Sequence, residues 1–170
     1  MKTKFSTFCR YAVEFSLCSL CGWVYEALLE LLVYGRYTDR GMLHLPVCPI
    51  YGFAGFALLF LFRSRRSWLT VFAGSVLLPT VLELVSYAPL EKIAGYPLWD
   101  YSAWLWNYRG IISLPSSLLF GVMGLLLVKG IHPLMDLVHR KMPEKWLCIA
   151  GILCTGTLLT DAVLTFFLQK

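Results

Sequence analysis

Five apolar stretches constrain this chain more than any other feature of its sequence. Each is close to the roughly 20 residues that a transmembrane α-helix needs, and they cover approximately residues 11–34, 47–62, 68–87, 111–131 and 146–168. Only 15% of the residues are charged, whereas soluble domains carry about a quarter. The sequence therefore predicts an all-α fold, a polytopic helical bundle of about five transmembrane helices in a lipid bilayer, forming one domain over residues 1–170.

The second apolar stretch is interrupted at its start. Residues 40–52 read Arg-Gly-Met-Leu-His-Leu-Pro-Val-Cys-Pro-Ile-Tyr-Gly. Pro46 and Pro49 lack a backbone donor and disfavour helix in the residue before them, so only the part after Pro49 is predicted to be helical. Irregular backbone at membrane depth persists only where protein or a water-filled cavity satisfies its polar groups. We therefore predict a broken or re-entrant segment beside a polar pocket near one membrane face.

Basic residues are distributed unevenly between the two predicted sides. One side holds Lys2, Lys4, Arg10, Arg63, Arg65, Arg66, Lys129, Arg140, Lys141 and Lys145, and the other holds Arg36, Arg40, Lys92, Arg109 and Lys170. Short loops rich in Lys and Arg stay in the cytoplasm. With an odd number of spans, the N-terminus is predicted to be cytoplasmic and the C-terminus to lie outside the cell membrane. This bias accounts for the net charge of +5 without a nucleic-acid partner.

Three carboxylates fall inside the spans that run outward. Glu26, Glu83 and Asp161 each lie fifteen residues beyond the estimated start of a span, or about 22 Å along a helix. Acids within a bilayer usually mark a functional site, the alternative being a structural hydrogen bond or ion pair. Arg40 is the natural counter-charge, with Arg36 and Arg109 as alternatives, so we predict a site lined by acids and arginine in the outer half of the membrane. Glu14 is interpreted instead as a solvated residue near the cytoplasmic end.

The Cys-x-x-Cys motif and His44 are interpreted as structural rather than as redox or metal sites. Cys18 and Cys21 form a Cys-x-x-Cys motif inside the first span; a redox role is the minor alternative to packing, since cysteine behaves as a small apolar residue in packed helices. His44 is interpreted as a loop histidine, because the chain has no His-rich zinc pattern. No metal or cofactor is predicted.

A series of short motifs runs in order over residues 22–133. They are Gly22-Trp23-x-Tyr25-Glu26, Arg40-Gly41, Pro46, Pro49-Ile50-Tyr51-Gly52, Glu83, Leu90-Glu91, Trp99-Asp100-Tyr101-Ser102, Asn107-x-x-Gly110 and Ser117-x-x-Phe120-Gly121. Together these motifs resemble the CmpB family of ABC-transporter type IV proteins, which are small bacterial membrane proteins. The chain departs from the family pattern at Asp39, Leu45 and Ile111, where the family usually has asparagine, glycine and a basic residue.

The resemblance implies an ABC-transporter permease, a multi-pass component of the cell membrane. The chain has no Gly-x-x-x-x-Gly-Lys motif, so any ATP-binding subunit must be a separate chain, and self-association is a further possibility. The candidate substrate- or ion-binding residues are Glu26, Arg40, Tyr51, Glu83, Glu91, Trp99, Asp100, Tyr101, Asn107 and Asp161. The candidate residues that shape the backbone are Gly41, Pro46, Pro49, Gly52 and Gly110.

Two other functions stay open beside transport. One is a membrane-embedded enzyme that acts on lipid-linked or envelope substrates at the outer leaflet, with paired carboxylates as general acid and base. The chain lacks a nucleophile motif such as Gly-x-Ser-x-Gly, and no catalytic residue is assigned. The other is a non-catalytic membrane scaffold. Transport ranks first because discontinuous helices that line a polar site are typical of transporters.

Overall fold

The computed structural model describes residues 4–35, 37, 42–62 and 67–168. The α-helices in these residues are Lys4–Tyr34 (α1), Pro49–Leu61 (α2), Trp68–Ala94 (α3), Leu114–Leu125 (α4), His132–Lys141 (α5) and Glu144–Leu168 (α6). A π-helical stretch, Leu126–Ile131, joins α4 to α5. A small antiparallel hairpin pairs Asn107–Tyr108 (β1) with Ile112–Ser113 (β2).

Among the described residues, four helical stretches are long and apolar enough to cross a membrane, judged by length and composition. They are Lys4–Leu32, Trp68–Ala94, Leu114–Lys141 and Glu144–Phe167. The predicted all-helical membrane bundle is thereby confirmed. The helix α2 has only 13 residues, or about 20 Å at 1.5 Å per residue, which is shorter than the ~30 Å hydrocarbon core. The second predicted span is thus an irregular segment followed by a short helix, as its two prolines predict.

Contacts between residues divide the chain into two compact units. Unit 1 consists of Met1–Phe53 and Met135–Lys170, and unit 2 is Ala54–Leu134. Each unit has its own pair of long packed helices, α1 with α6 in unit 1 and α3 with α4 in unit 2.

In unit 1 the helices α1 and α6 run parallel. Near their starts, Gly151 lies so close to Cys9 that a Cβ atom at position 151 would stand 2.5 Å from the Cys9 Cα. Ten residues further along each helix, Ser19 and Asp161 both hydrogen-bond the backbone of the irregular segment 42–48. Small residues allow such close backbone approach. The starts of α1 and α6 therefore lie at the same end of unit 1.

In unit 2 the helices α3 and α4 run antiparallel. A Cβ atom at Gly124 on α4 would overlap the side chain of Ser75 on α3. Further along α3, the Thr80 hydroxyl lies 2.7 Å from that of Ser117, near the start of α4. Small and hydroxyl side chains thus bring the two helices close together, and Phe72 of α3 packs against Gly121 of α4.

The helix α3 extends past Pro89 and carries Glu83, Tyr87 and Glu91 along one face. It continues through Pro89 and ends before Gly95, whose φ of 78° is the left-handed conformation that favours glycine at a helix end. The sequence leaves open whether Pro89 ends or bends the helix; in the structure the helix continues past it. Because residues four apart share a helical face, Glu83, Tyr87 and Glu91 follow one another along α3.

Candidate functional site

The first candidate cluster surrounds Glu26 on α1. Tyr51, in the first turn of α2, donates a hydrogen bond from its hydroxyl to Glu26 Oε1 at 2.9 Å. The Tyr51 ring occupies the space beside Gly22, one turn before Glu26, where a Cβ atom would overlap the ring. Tyr25 meets the same ring edge to face, with centroids 6.2 Å apart. The Gly22 and Tyr51 motifs of the sequence thus come together around one carboxylate.

Asp161 on α6 forms hydrogen bonds with the irregular segment 42–48. This carboxylate accepts hydrogen bonds from the backbone N–H groups of Leu45 (2.9 Å) and His44 (3.3 Å), and Oδ1 lies 3.0 Å from His44 Nδ1. Thr165, one turn later on α6, places its hydroxyl 3.0 Å from the same ring nitrogen. Asp161 is only 6% exposed. It therefore satisfies polar groups of an irregular backbone, as membrane depth requires, and its predicted part in binding a substrate or ion stays a prediction.

Glu26 lies further along α1 than Asp161 does along the parallel helix α6. Asp161 is level with Ser19 on α1, and Glu26 comes seven residues after Ser19, or roughly 10 Å further along. The helix α1 begins at Lys4, seven residues before the estimated start at Tyr11, and the predicted site in the outer half of the membrane stays a prediction.

The proline and glycine residues of the broken segment determine its backbone conformation and how closely it packs. Pro49 is the first residue of α2, where its missing N–H costs nothing, and Pro46 lies in the irregular segment before it. A Cβ atom at Gly52 would stand 2.5 Å from Ser19 Oγ, so only glycine lets α2 approach α1 here. Arg40 and Gly41, predicted to be the counter-charge and a motif residue, lie outside the described residues.

The second candidate cluster surrounds Glu83 on α3. Tyr101 donates a hydrogen bond from its hydroxyl to Glu83 Oε1 at 2.8 Å, and the Ser116 hydroxyl donates to the Tyr101 oxygen at 3.1 Å. Glu83, Tyr101 and Ser116 are 7%, 8% and 0% exposed. A buried carboxylate therefore lies at the end of a chain of hydroxyl groups between α3 and the start of α4.

Asp100 and Asn107 shape the loop that delivers Tyr101. Asp100 accepts hydrogen bonds from the backbone N–H (2.8 Å) and the hydroxyl (2.9 Å) of Ser102. Asn107 accepts from the N–H of Gly110 (3.1 Å) and donates to the carbonyls of Ser102 and Trp104. Gly110 has a φ of 71°, which favours glycine. These contacts give Asp100 and Asn107 a structural role within the loop, and their part in binding a solute stays a prediction.

Trp99 and Glu91 complete the predicted set in unit 2. The Trp99 indole N–H donates to the carbonyl of Ile111 at 2.9 Å, and its ring packs edge to face on Tyr87 with centroids 5.4 Å apart. Glu91 follows Tyr87 by one turn on α3 and lies near enough to interact with it electrostatically. The structure thus brings Trp99, Tyr87 and Glu91 together at the end of α3.

Two groups of polar residues were missed by the sequence analysis. Glu14 is 4% exposed rather than solvated, because Arg10 Nε lies 3.0 Å from its carboxylate. Arg10 also forms an ion pair with Asp136 on α5. The second group is His44 with Thr165, which are 121 residues apart. The i, i+4 spacing of Arg10 and Glu14 was a usable signal, whereas nothing in the sequence links His44 to Thr165.

Comparison with protein families gave one match. The sequence matches the family described as "Putative ABC-transporter type IV" over residues 13–166. Neither the curated proteins nor the solved structures gave a match. The matched range includes both glutamate clusters and Asp161, and with the four long apolar helices it makes the chain a multi-pass membrane protein related to transport.

Proposed function

Because this chain belongs to the ABC-transporter type IV family, we propose that it is the permease component of an ABC transporter in the cell membrane. A polar solute binds in the outer half of the membrane, at a site lined by acids and arginine. One observation carries this function: each of two glutamates inside long apolar helices is held by a tyrosine hydroxyl from another element. The pairs are Glu26 with Tyr51 and Glu83 with Tyr101.

The chemistry of these pairs suits a solute that is positively charged or rich in hydrogen-bond donors. An ionised carboxylate only accepts hydrogen bonds, while a tyrosine hydroxyl can both donate and accept. The rings of Tyr25 and Tyr51 beside Glu26 add faces that attract cations. Arg40, predicted to lie on the same side of the membrane, orients any anionic group of the solute.

The N-terminus is cytoplasmic and the C-terminus lies outside in this proposal. The parallel course of α1 and α6 supports opposite locations for the two termini. The basic residues Lys4, Arg10 and Lys145 lie near the starts of these two helices, and excess Lys and Arg favours the cytoplasmic side.

A separate ATP-binding subunit supplies the energy. To test this, the tagged chain is expressed at its native level, solubilised from native membranes and purified together with its partners. We expect a protein with a Gly-x-x-x-x-Gly-Lys motif to be enriched over a tagged control protein with a similar number of membrane helices. If no ATP-binding protein is enriched, the permease function is wrong.

The solute site is tested in cells that lack the chain. Cells complemented with the wild type are compared with uncomplemented cells for the metabolites in the medium and in the cytoplasm. We expect E26Q and E83Q to abolish the difference that the wild type makes, while the chain remains at its normal level in the membrane. E144Q, which changes a carboxylate at the start of α6, serves as the matched control. A variant that behaves like E144Q shows that its own glutamate takes no part in binding the solute.

A further inference from the structure

The helix α5 faces the protein with polar side chains and turns apolar ones outward. Asp136 forms an ion pair with Arg10 of α1, and His139 is 5% exposed. On the opposite side, Leu137 and Val138 are 50% and 38% exposed. A helix on the surface of a soluble protein shows the reverse arrangement. The outer face of α5, formed by Leu137 and Val138, therefore suits contact with lipid hydrocarbon.

Basic side chains follow directly at the turn between α5 and α6. Arg140 and Lys141 end α5, and Lys145 lies in the first turn of α6, after a turn of two residues. All three are exposed, and none of them has an ion-pair partner within the described part of the chain. Arg10 differs from them because Glu14 and Asp136 already neutralise it.

An aromatic side chain lies next to these charges. Trp146, in the first turn of α6, is 60% exposed, and tryptophan is enriched at the level of lipid headgroups. Arg140, Lys141, Lys145 and Trp146 together form what we call the basic corner. The basic corner thus adjoins an outward apolar face on one side and carries an indole typical of the membrane interface.

We propose that the basic corner binds the phosphate of anionic phospholipid headgroups, while the acyl chains lie against the outer face of α5. Charge complementarity selects an anionic headgroup over a zwitterionic one. A lipid also explains the exposed Leu137 and Val138, which a purely electrostatic contact with a soluble protein does not require. This inference does not depend on the transport function, since it concerns the opposite end of α6 from Asp161.

Native mass spectrometry of the purified chain in neutral detergent tests the proposal. The probes are phosphatidylglycerol and phosphatidylcholine with the same acyl chains, and the apparent Kd of each is measured. A basic residue near an anionic surface contributes about fivefold to binding. We therefore expect R140Q/K141Q to weaken phosphatidylglycerol binding by about 25-fold and to leave phosphatidylcholine binding unchanged.

The matched control is K92Q/R109Q, which removes two exposed basic side chains outside the basic corner. This variant is expected to bind phosphatidylglycerol as the wild type does. The proposal is wrong if the wild type shows no preference for phosphatidylglycerol, or if both double variants lose the same affinity. It is also wrong if R140Q/K141Q keeps the full preference for phosphatidylglycerol over phosphatidylcholine. In that case the basic corner binds another kind of partner.

Discussion

Replacing Asp161 by alanine is expected to release the irregular segment 42–48 from α6. In the wild type, the Asp161 carboxylate accepts the N–H of Leu45 at 2.9 Å and the N–H of His44 at 3.3 Å. Alanine leaves both partly buried backbone donors without this acceptor. Asparagine keeps one side-chain oxygen and removes the charge, so D161N should show a smaller effect of the same kind.

The size of the effect follows from the two lost acceptor contacts. A buried donor that loses its partner costs about 1–3 kcal/mol. Both donors are only partly buried, so each bond contributes near the lower end of that range, and we expect a total of about 2 kcal/mol. Because 1.4 kcal/mol corresponds to a factor of ten, about 2 kcal/mol raises the population of the released segment roughly thirtyfold.

Cys48 is a natural reporter for this release. It lies at the end of the segment, is 5% exposed, and donates its backbone N–H to the Ser19 carbonyl at 3.0 Å. The rate at which N-ethylmaleimide modifies Cys48 is measured by peptide mass spectrometry. Cys9, which is 0% exposed and packs against Gly151, serves as an internal reference within the same molecule.

The outcome separates a local role from general destabilisation. We expect Cys48 in D161A to react at least about tenfold faster relative to Cys9, with D161N in between. If Cys48 reacts as slowly in D161A as in the wild type, other contacts hold the segment and the role assigned to Asp161 is wrong. An equal rise at Cys48 and Cys9 would also contradict it, because α1 and α6 would then have separated as a whole.

Three further changes test other parts of the structure. G22A should lower the apparent Tm in detergent, because its methyl group overlaps the Tyr51 ring and overpacking costs about 1–3 kcal/mol. The control G156A should leave the apparent Tm unchanged, because nothing outside its own helix backbone and chain neighbours lies within 4 Å of the added Cβ among the described residues. Y101F should also lower the apparent Tm, since it removes the Tyr101 hydroxyl that donates to the buried Glu83, and loss of a buried hydrogen-bond partner costs about 1–3 kcal/mol; an unchanged Tm would contradict that bond. Alkaline phosphatase fused after the last residue should be active if the C-terminus lies outside, whereas a cytoplasmic C-terminus would leave it inactive.

The sequence predicts the class of fold and the interruption of the second span. Apolar length alone identifies the long helices, because a bilayer requires about 20 apolar residues for each crossing. Pro46 and Pro49 locate the irregular segment, since proline restricts its own backbone and that of the residue before it. Both inferences rest on local chemistry and need no knowledge of which helices are neighbours.

The partners of the acids could not be predicted in the same way. Glu26 accepts a hydrogen bond from Tyr51 on the next helix. The only sequence signal for this pair is that the two residues lie in successive motifs. Asp161 meets His44 across 117 residues, which requires knowing that α6 packs against α1. Apolar helices in a bilayer carry little information about their neighbours, because lipid is as apolar as their side chains. Helix ends are equally hard to locate from sequence, since α1 begins at Lys4, seven residues before the start estimated from the apolar pattern.

The parallel course of α1 and α6 bears on whether the short helix α2 forms part of a membrane crossing. If α1 crosses outward and the stretches Trp68–Ala94 and Leu114–Lys141 are the only crossings before α6, then α6 crosses inward and is antiparallel to α1. The parallel packing therefore favours one additional crossing between them. The remaining candidate is the irregular segment 42–48 together with α2. A helix of about 20 Å completes a crossing of ~30 Å only if irregular backbone covers the rest. In such a crossing, the Ser19 carbonyl and the Asp161 carboxylate accept hydrogen bonds from the irregular backbone, and thereby satisfy donors that hydrocarbon leaves unpaired.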